Sequence, residues 1–279
     1  MEARRRLSRK PRKLPSSGWE RDRKTVGEPY KKSSARDTFE SLVVTVVLAI
    51  FGTTFVIQAF KIPTGSMENT LLIGDHLLVN KFCFAFEEGL IGRLLPYREI
   101  RRGDVVVFKF PGAGDEAKEP GEHFVKRVMG VPGDRIRIVN RGVFVNGNPL
   151  KEPYTLHADP EGHYMGDDFP FPAGEYSRNV TLRWSEELPR YVKDGEMVVP
   201  PGHYFMMGDN REHSWDSRFW GFVPRELVSG RPLLIYWSFE TPREEYLRIS
   251  LRDRVAQTLD LVVHFLSRTR WRRTFSLVR

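Results

Sequence analysis

Two residue types in this chain, a serine in a tight turn and a lysine on an apolar strand face, could together do nucleophilic chemistry. Ser66 stands in Ile62-Pro63-Thr64-Gly65-Ser66-Met67, where Pro63 and Gly65 fix a turn and display a hydroxyl. Lys126 stands in His123-Phe124-Val125-Lys126-Arg127-Val128, and alternation puts it on one face with Phe124 and Val128. A serine hydroxyl is a weak nucleophile without a base beside it. A lysine at its usual pKa of about 10.4 is protonated and cannot accept the proton. On an apolar face desolvation penalises the ammonium form, and the neutral amine becomes a base that works near neutral pH. Ser–Lys is then a variant of triad logic. Taken singly, a turn after an apolar segment and a solvated edge lysine are the commoner settings for such residues, so neither establishes a site alone.

A third stretch, Gly208-Asp209-Asn210-Arg211-Glu212-His213-Ser214-Trp215-Asp216-Ser217-Arg218, follows the apolar run Tyr204–Met207. It alternates charges and hydroxyls densely enough for a structured hydrogen-bond site. Gly74-Asp75 reads as a tight turn ahead of a strand. His213 with Asp209 or Asp216 also offers a Ser–His–Asp arrangement, in which Lys126 would have no role. Cys83 is the only cysteine, which excludes an internal disulfide and a disulfide-stapled fold. Nothing in the sequence calls for a metal or another cofactor.

These residues need a scaffold. From residue 71 onward, short apolar or alternating runs are broken by Gly, Pro, Asn and Asp, the pattern of an antiparallel, mainly β domain. Arg135–Val139 and Val143–Val145 read as a hairpin, with a further turn at Asn146-Gly147. Residues 148–198 are poorer in strands and read as a smaller inserted subdomain, leaving 61–147 and 199–240 for the catalytic β-domain. In the basic tail, 241–279, Leu251, Val255, Leu259, Val262 and Leu266 recur at spacings of three and four. That spacing predicts an amphipathic helix, either packed on the β-domain or lying in a membrane interface.

Residues 41–60, SLVVTVVLAIFGTTFVIQAF, carry no charge and match the ~20 residues that cross a ~30 Å hydrocarbon core. The run is longer than the ~7–15 apolar residues of a cleavable leader and has no small-x-small site. One transmembrane helix is therefore expected over 39–60. The chain carries a net charge of +8, with thirteen Lys/Arg against six Asp/Glu in residues 1–40 and nine against four in 241–279. The middle is mildly acidic, which argues against a nucleic-acid-binding domain. The basic flank ahead of the apolar run places the N-terminus inside and everything after residue 61 outside. Residues 1–38 read as a disordered cytoplasmic segment.

Together, Pro63-Thr64-Gly65-Ser66-Met67, Gly74-Asp75, Lys126-Arg127 with Gly130-Val131-Pro132-Gly133-Asp134, and Gly208-Asp209-Asn210-Arg211 through Ser214, Asp216, Ser217 and Arg218 resemble the type I signal peptidase family in order and spacing, over roughly residues 42–240. The resemblance implies Ser66 as nucleophile, Lys126 as general base, Ser214 as the hydroxyl that orients the base, and Thr64 as an oxyanion-hole donor with the Ser66 N–H. It implies Asp216 and Arg218 as a supporting ion pair, with Asp209 also supporting. Ile62, Pro63, Met67, Leu77, Val79, Phe124 and Val125 fall where the family builds shallow pockets for small substrate residues at −1 and −3. It also implies preprotein signal peptides as substrate, a phospholipid membrane as partner, no nucleic acid, no cofactor, a monomer, and a catalytic domain on the outer face of a bacterial cytoplasmic membrane. Asn69 stands where the family usually has Pro, and Glu212-His213 where Asp-Asn is common. The competing readings are a Ser–Lys maturation peptidase with one dedicated exported substrate, and a non-catalytic membrane-tethered binding module.

Overall fold

The apolar run that reads as a single membrane helix is divided in the fold. The computed structural model describes residues 34–81, 84, 98–112, 121–159, 161–162, 164, 166–171, 180–242 and 250–278. The basic segment to residue 33 and Cys83 lie outside the described residues. Helix α1 spans Ser34–Phe51, one π-helical turn follows at Gly52–Val56, and the chain then enters strand β1, Ile57–Lys61. An uninterrupted apolar stretch does not itself distinguish helix from strand. Here Ile57–Lys61 form a complete antiparallel ladder with strand β2, Asp75–Asn80. α1 carries Arg36, Asp37 and Glu40 in its first turns, and its Phe39, Leu42, Val44, Val47, Leu48 and Ile50 are exposed. Among the described residues no helix is long and apolar enough to cross a membrane. The expected continuous helix to residue 60 is corrected in that respect.

The remaining strands are β3 Val105–Lys109, β4 His123–Gly130, β5 Arg135–Val139, β6 Gly142–Val145, β7 Asn148–Pro149, β8 Val192–Lys193, β9 Glu196–Val198, β10 His203–Met207, β11 Val223–Pro224, β12 Val228–Ser238 and β13 Ser276–Leu277. They form two antiparallel sheets. The larger runs β1-β2-β12-β3-β4-β10-β11, with β13 added to β12, and the smaller runs β7-β6-β5-β9-β8. Burial follows the pleat. In β2 Asp75, Leu77 and Val79 point inward, while β3 is buried on both faces through Phe108, as expected of a central strand.

The hairpin β5–β6 closes through Asn140 and Arg141, both at positive φ, and the next turn through Asn146 and Gly147, also at positive φ. Both are two-residue turns whose twist suits a hairpin. The sequence places this hairpin in the catalytic sheet, but Arg135 and Ile136 pair with Val198 and Met197. It therefore belongs to the smaller sheet, which starts before residue 148. Between β7 and β8 lies helix α2, Leu182–Tyr191, capped by Thr181 and burying Trp184 and Leu188. One core joins the two sheets through residues such as Phe108, Met129, Ile136, Met197, Phe205 and Trp220. A second gathers Ile62, Met67, Leu71, Leu77, Val79, Val107, Ile235 and Val278 beneath the first strands.

A single helical turn, α3, spans Ser217–Trp220. The tail forms helix α4, Leu251–Arg268, opened by a capping box of Ser250 and Asp253. Beyond it the chain returns to the larger sheet: Thr269 bridges Phe239, β13 pairs with β12, and Val278 is buried in the second core. The end of the tail is thus part of the β-domain, while the apolar side of α4 itself is exposed.

Candidate active site

β1 delivers the chain into the Ser66 loop, and the start of β2 holds that loop from behind. The Ile62 N–H donates to the Asp75 carbonyl at 2.8 Å, and the Gly74 N–H to the Ile62 carbonyl at 3.0 Å. Gly74 has φ +87°, and a Cβ there would stand 1.9 Å from the Phe239 carbonyl oxygen, so the tight turn requires glycine. Gly65–Met67 then make one 3₁₀ turn, which buries Met67 and leaves Ser66 half-buried. Asn69 follows at φ +87° and donates from its side chain to the Tyr154 carbonyl at 3.0 Å. A proline, fixed near −65°, could not take that backbone conformation, which accounts for one of the two departures from the family pattern.

β4 presents Lys126 to this loop. Its register pairs Lys126 with Val106 of β3, and the lysine is 4% exposed. Nζ lies 2.6 Å from Ser66 Oγ, within hydrogen-bonding distance. Arg127, pointing the other way, forms a bidentate buried ion pair with Asp209, at 2.8 and 2.7 Å. It also donates to Thr70 Oγ1 and lies 3.8 Å over the Tyr154 ring. The adjacent Lys-Arg thus serves two purposes: the lysine faces the serine, and the arginine ties β4 to the polar loop after β10.

That loop supports Ser66 from below. The Asn210 N–H donates to the Ser66 carbonyl at 3.2 Å, and Asn210 Nδ2 to the Gly65 carbonyl and to Glu68. Asp216, fully buried, forms a bidentate pair with Arg218 at 2.9 Å for each contact and accepts from the Gly208 N–H. Burial alone would raise the Asp216 pKa, but the Arg218 charge and hydrogen bond, with Lys126 and the Gly208 N–H, hold it below the usual carboxylate range. Ser214 Oγ is buried and has no hydrogen-bond partner among the described residues. The expected hydrogen bond from Ser214 to the base is therefore not formed. Glu212, the other departure, has a buried carboxylate that accepts from the Ala158 N–H and contacts the His157 ring at 2.8 Å, linking this loop to the segment after β7.

Ser66 and Lys126 open into a cleft of about 190 Å³. Phe60, Lys61, Ile62, Pro63, Thr64 and Met67 line one side, and Glu122, His123, Phe124, Val125, His213 and Trp215 complete it. Ile62, Pro63, Met67, Phe124 and Val125 line this cleft beside Ser66 and Lys126. Leu77 and Val79 do not line the cleft. Both are fully buried in β2, behind the residues that do. Alternation along a strand assigns a face to the interior but does not say which layer meets the solvent. Thr64 is half-buried at the cleft, and its side chain caps no backbone group of the 3₁₀ turn. Burial, with Lys109 and Lys81 nearby, holds the His123 imidazole below its usual value. The Ser–His–Asp alternative loses its carboxylates, because Asp209 and Asp216 are committed to Arg127 and Arg218 while His213 is exposed. Among the described residues no three His, Cys, Asp or Glu side chains group as metal ligands would.

Arg127, Asn210, Gly208 and Trp215 are site residues that sequence reasoning left without a role. A charged residue adjacent to the buried lysine, and the glycine opening the polar loop, were the available signals.

A family model described as signal peptidase, peptidase S26, matches residues 35–237. A signal peptidase I of Pseudomonas fluorescens is 33% identical over 234 residues, covering 79% of this chain and 77% of its own length. One from Aquifex aeolicus is 33% identical over 241 residues, covering 74% and 86%. A probable signal peptidase I-2 of Synechocystis sp. is 36% identical over 198 residues, covering 71% of each chain.

Proposed function

This chain belongs to the peptidase S26 signal peptidase family, and on that premise we propose that it is a serine endopeptidase that removes N-terminal signal peptides from exported preproteins. The observation that carries the reading is the 2.6 Å approach of Lys126 Nζ to Ser66 Oγ on a buried strand face. Burial favours the neutral amine. The amine takes the serine proton as Oγ attacks the scissile carbonyl carbon, giving a tetrahedral oxyanion and a lysine ammonium. The Ser66 N–H and the Thr64 hydroxyl donate to that oxyanion, a role worth about 3–4 kcal/mol per donor in comparable sites. Collapse breaks the C–N bond, and the ammonium returns its proton to the leaving amine. Lys126 then deprotonates a water that hydrolyses the ester and frees Ser66.

Ser214, packed against Gly208 beside the Ser66 carbonyl, is the buried hydroxyl available to orient the lysine. Asp216 with Arg218 and Asp209 with Arg127 form closed ion pairs that fix the polar loop. The small cleft bounded by Ile62, Pro63, Met67, Phe124 and Val125 suits short side chains at −1 and −3, while Leu77 and Val79 support its wall. The enzyme is seated on the bacterial cytoplasmic membrane by the uncharged, exposed apolar stretch beginning at Ser41, with the basic N-terminus inside and the β-domain outside. Ser41–Val56 as helix is about 24 Å long.

The test is incubation of the full chain in detergent with a preprotein carrying alanine at −1 and −3, with product N-termini identified by mass spectrometry. Cleavage after the −1 alanine is expected, with loss of cleavage in Ser66→Ala and when −1 becomes leucine. Equal cleavage by Ser66→Ala would overturn the reading.

A further inference from the structure

On helix α4 the polar side is the more covered one. Asp253, Gln257, Asp260, His264 and Arg268 are half-buried along one side, and the Asp260 carboxylate pairs with His264 at 2.9 Å and Arg268 at 2.8 Å. At 100° per residue, Val255, Leu259, Val262, Val263 and Leu266 fall on the opposite side, and they are 60–74% exposed. An amphipathic helix that packs on a globular domain buries its apolar stripe. Among the described residues of α4, Phe265 makes ring contacts with the rest of the domain, 5.9 Å from Trp237 and 6.0 Å from Trp271.

Charge decides what covers this face. Arg252 and Arg254 are exposed in its first turn and Arg272 just beyond its end, and Trp271 stands exposed at the rim. A second copy of the chain would bring these cations together. An anionic bilayer surface complements them, accepts the apolar side chains, and suits an indole at the headgroup level. We infer that α4 lies in the interface of an anionic phospholipid membrane, apolar face inward.

The same tail is tied to the nucleophile loop. Arg270 donates to the Ile73 carbonyl at 2.9 Å, and Arg273 to Asp75 at 2.6 Å and to the Thr70 carbonyl at 3.0 Å. A docked α4 therefore holds Ser66 at a fixed height above the lipid. α4 lies beyond residue 237, where the family match ends. The inference rests on the membrane seat proposed above, and its test separates the two.

The experiment uses the full chain with Cys83→Ser and a single cysteine, Val262→Cys or Gln257→Cys, labelled with an environment-sensitive NBD fluorophore. The protein is reconstituted into neutral phosphatidylcholine vesicles or vesicles that also contain phosphatidylglycerol. Expected are a blue shift and quenching by brominated lipid at 262 in the anionic vesicles, with little change at 257. Arg254→Gln should lower the ratio of docked to free helix about fivefold. With Cys83 intact, Trp271→Phe should remove part of the tryptophan emission that brominated lipid quenches. A probe at 262 that stays water-like on a protein that floats with the vesicles overturns this inference and leaves the membrane seat standing. Protein that does not float overturns both. Shielding at 262 without lipid quenching, with crosslinks between copies, overturns it in favour of self-association.

Discussion

The Asn210 backbone N–H donates to the Ser66 carbonyl oxygen, 3.2 Å away, so the loop bearing Ser66 rests on the loop that follows β10. The two segments are far apart in sequence, and their contact is close enough to forbid any side chain at the first residue of the lower loop. A Cβ on Gly208 would stand 2.2 Å from Ser214 Oγ and 2.5 Å from the Ser66 carbonyl oxygen. Gly208→Ala should push the Ser66 loop away from Lys126. A displacement of about 1 Å at reacting atoms costs roughly a hundredfold in rate, and overpacking costs about 1–3 kcal/mol. Steady-state cleavage and thermal melting measure the two effects, and wild-type values of both would show that the contact does not hold the loop.

Ser214→Ala should separate stability from activity. Its hydroxyl is buried without a hydrogen-bond partner, a state that costs free energy. Removing it should leave stability unchanged or raised by up to about 1 kcal/mol, while kcat falls because Lys126 loses its orienting hydroxyl. Denaturant unfolding and single-turnover cleavage test the split. A destabilised variant with full activity would reverse both assignments.

The Asp216–Arg218 pair makes stability depend on acid. Because the folded pKa of Asp216 is held down, its contribution is present above the unfolded value of about 3.9 and is lost as pH falls through the lower folded value. Asp216→Asn leaves Arg218 buried without its countercharge, at a cost of about 3–5 kcal/mol near pH 7. Unfolding free energies across pH should show the gap between wild type and variant closing in acid. A gap that stays constant with pH would remove the ion pair as its cause.

Arg273 should matter although it lies far beyond the matched family region. It donates to the buried Asp75 carboxylate and to the Thr70 carbonyl, and hydrogen bonds to charged groups contribute about 1.5–3 kcal/mol. Arg273→Ala should lower stability by that order, and kcat more than KM, because the loop between Ser66 and β2 loses its clamp. Calorimetry with cleavage kinetics checks this, and an unchanged melting temperature would make the tail an ornament.

The Ser66–Lys126 pairing was legible in the sequence because its signals are local. A Pro-Thr-Gly-Ser turn and a lysine between apolar neighbours on a strand each carry their chemistry in adjacent residues. Antiparallel strands and both Asn-containing turns were legible for the same reason. What escaped depends on pairing across the chain. Ile57–Phe60 continue an apolar run that fits a helix, and only the ladder to Leu77–Asn80 makes them a strand. The β5–β6 hairpin was visible, but its sheet was decided by Val198 and Met197, about sixty residues away in sequence. Leu77 and Val79 alternate correctly, yet alternation does not say whether a buried face meets a cleft or a second layer. The Arg127–Asp209 pair joins two motifs that were read separately.

The central claim is that Lys126 accepts the Ser66 proton, and Lys126→Arg tests it most directly. Arginine keeps the positive charge and the donors but cannot give up its proton near neutral pH. The measurement is kcat for cleavage of a signal-peptide substrate by wild type and Lys126→Arg, with melting curves confirming that both are folded. A general base contributes about 10²–10⁴-fold, so a loss of at least that order is expected at every pH that leaves the protein folded. A folded Lys126→Arg enzyme that cleaves within a few fold of wild type would contradict it.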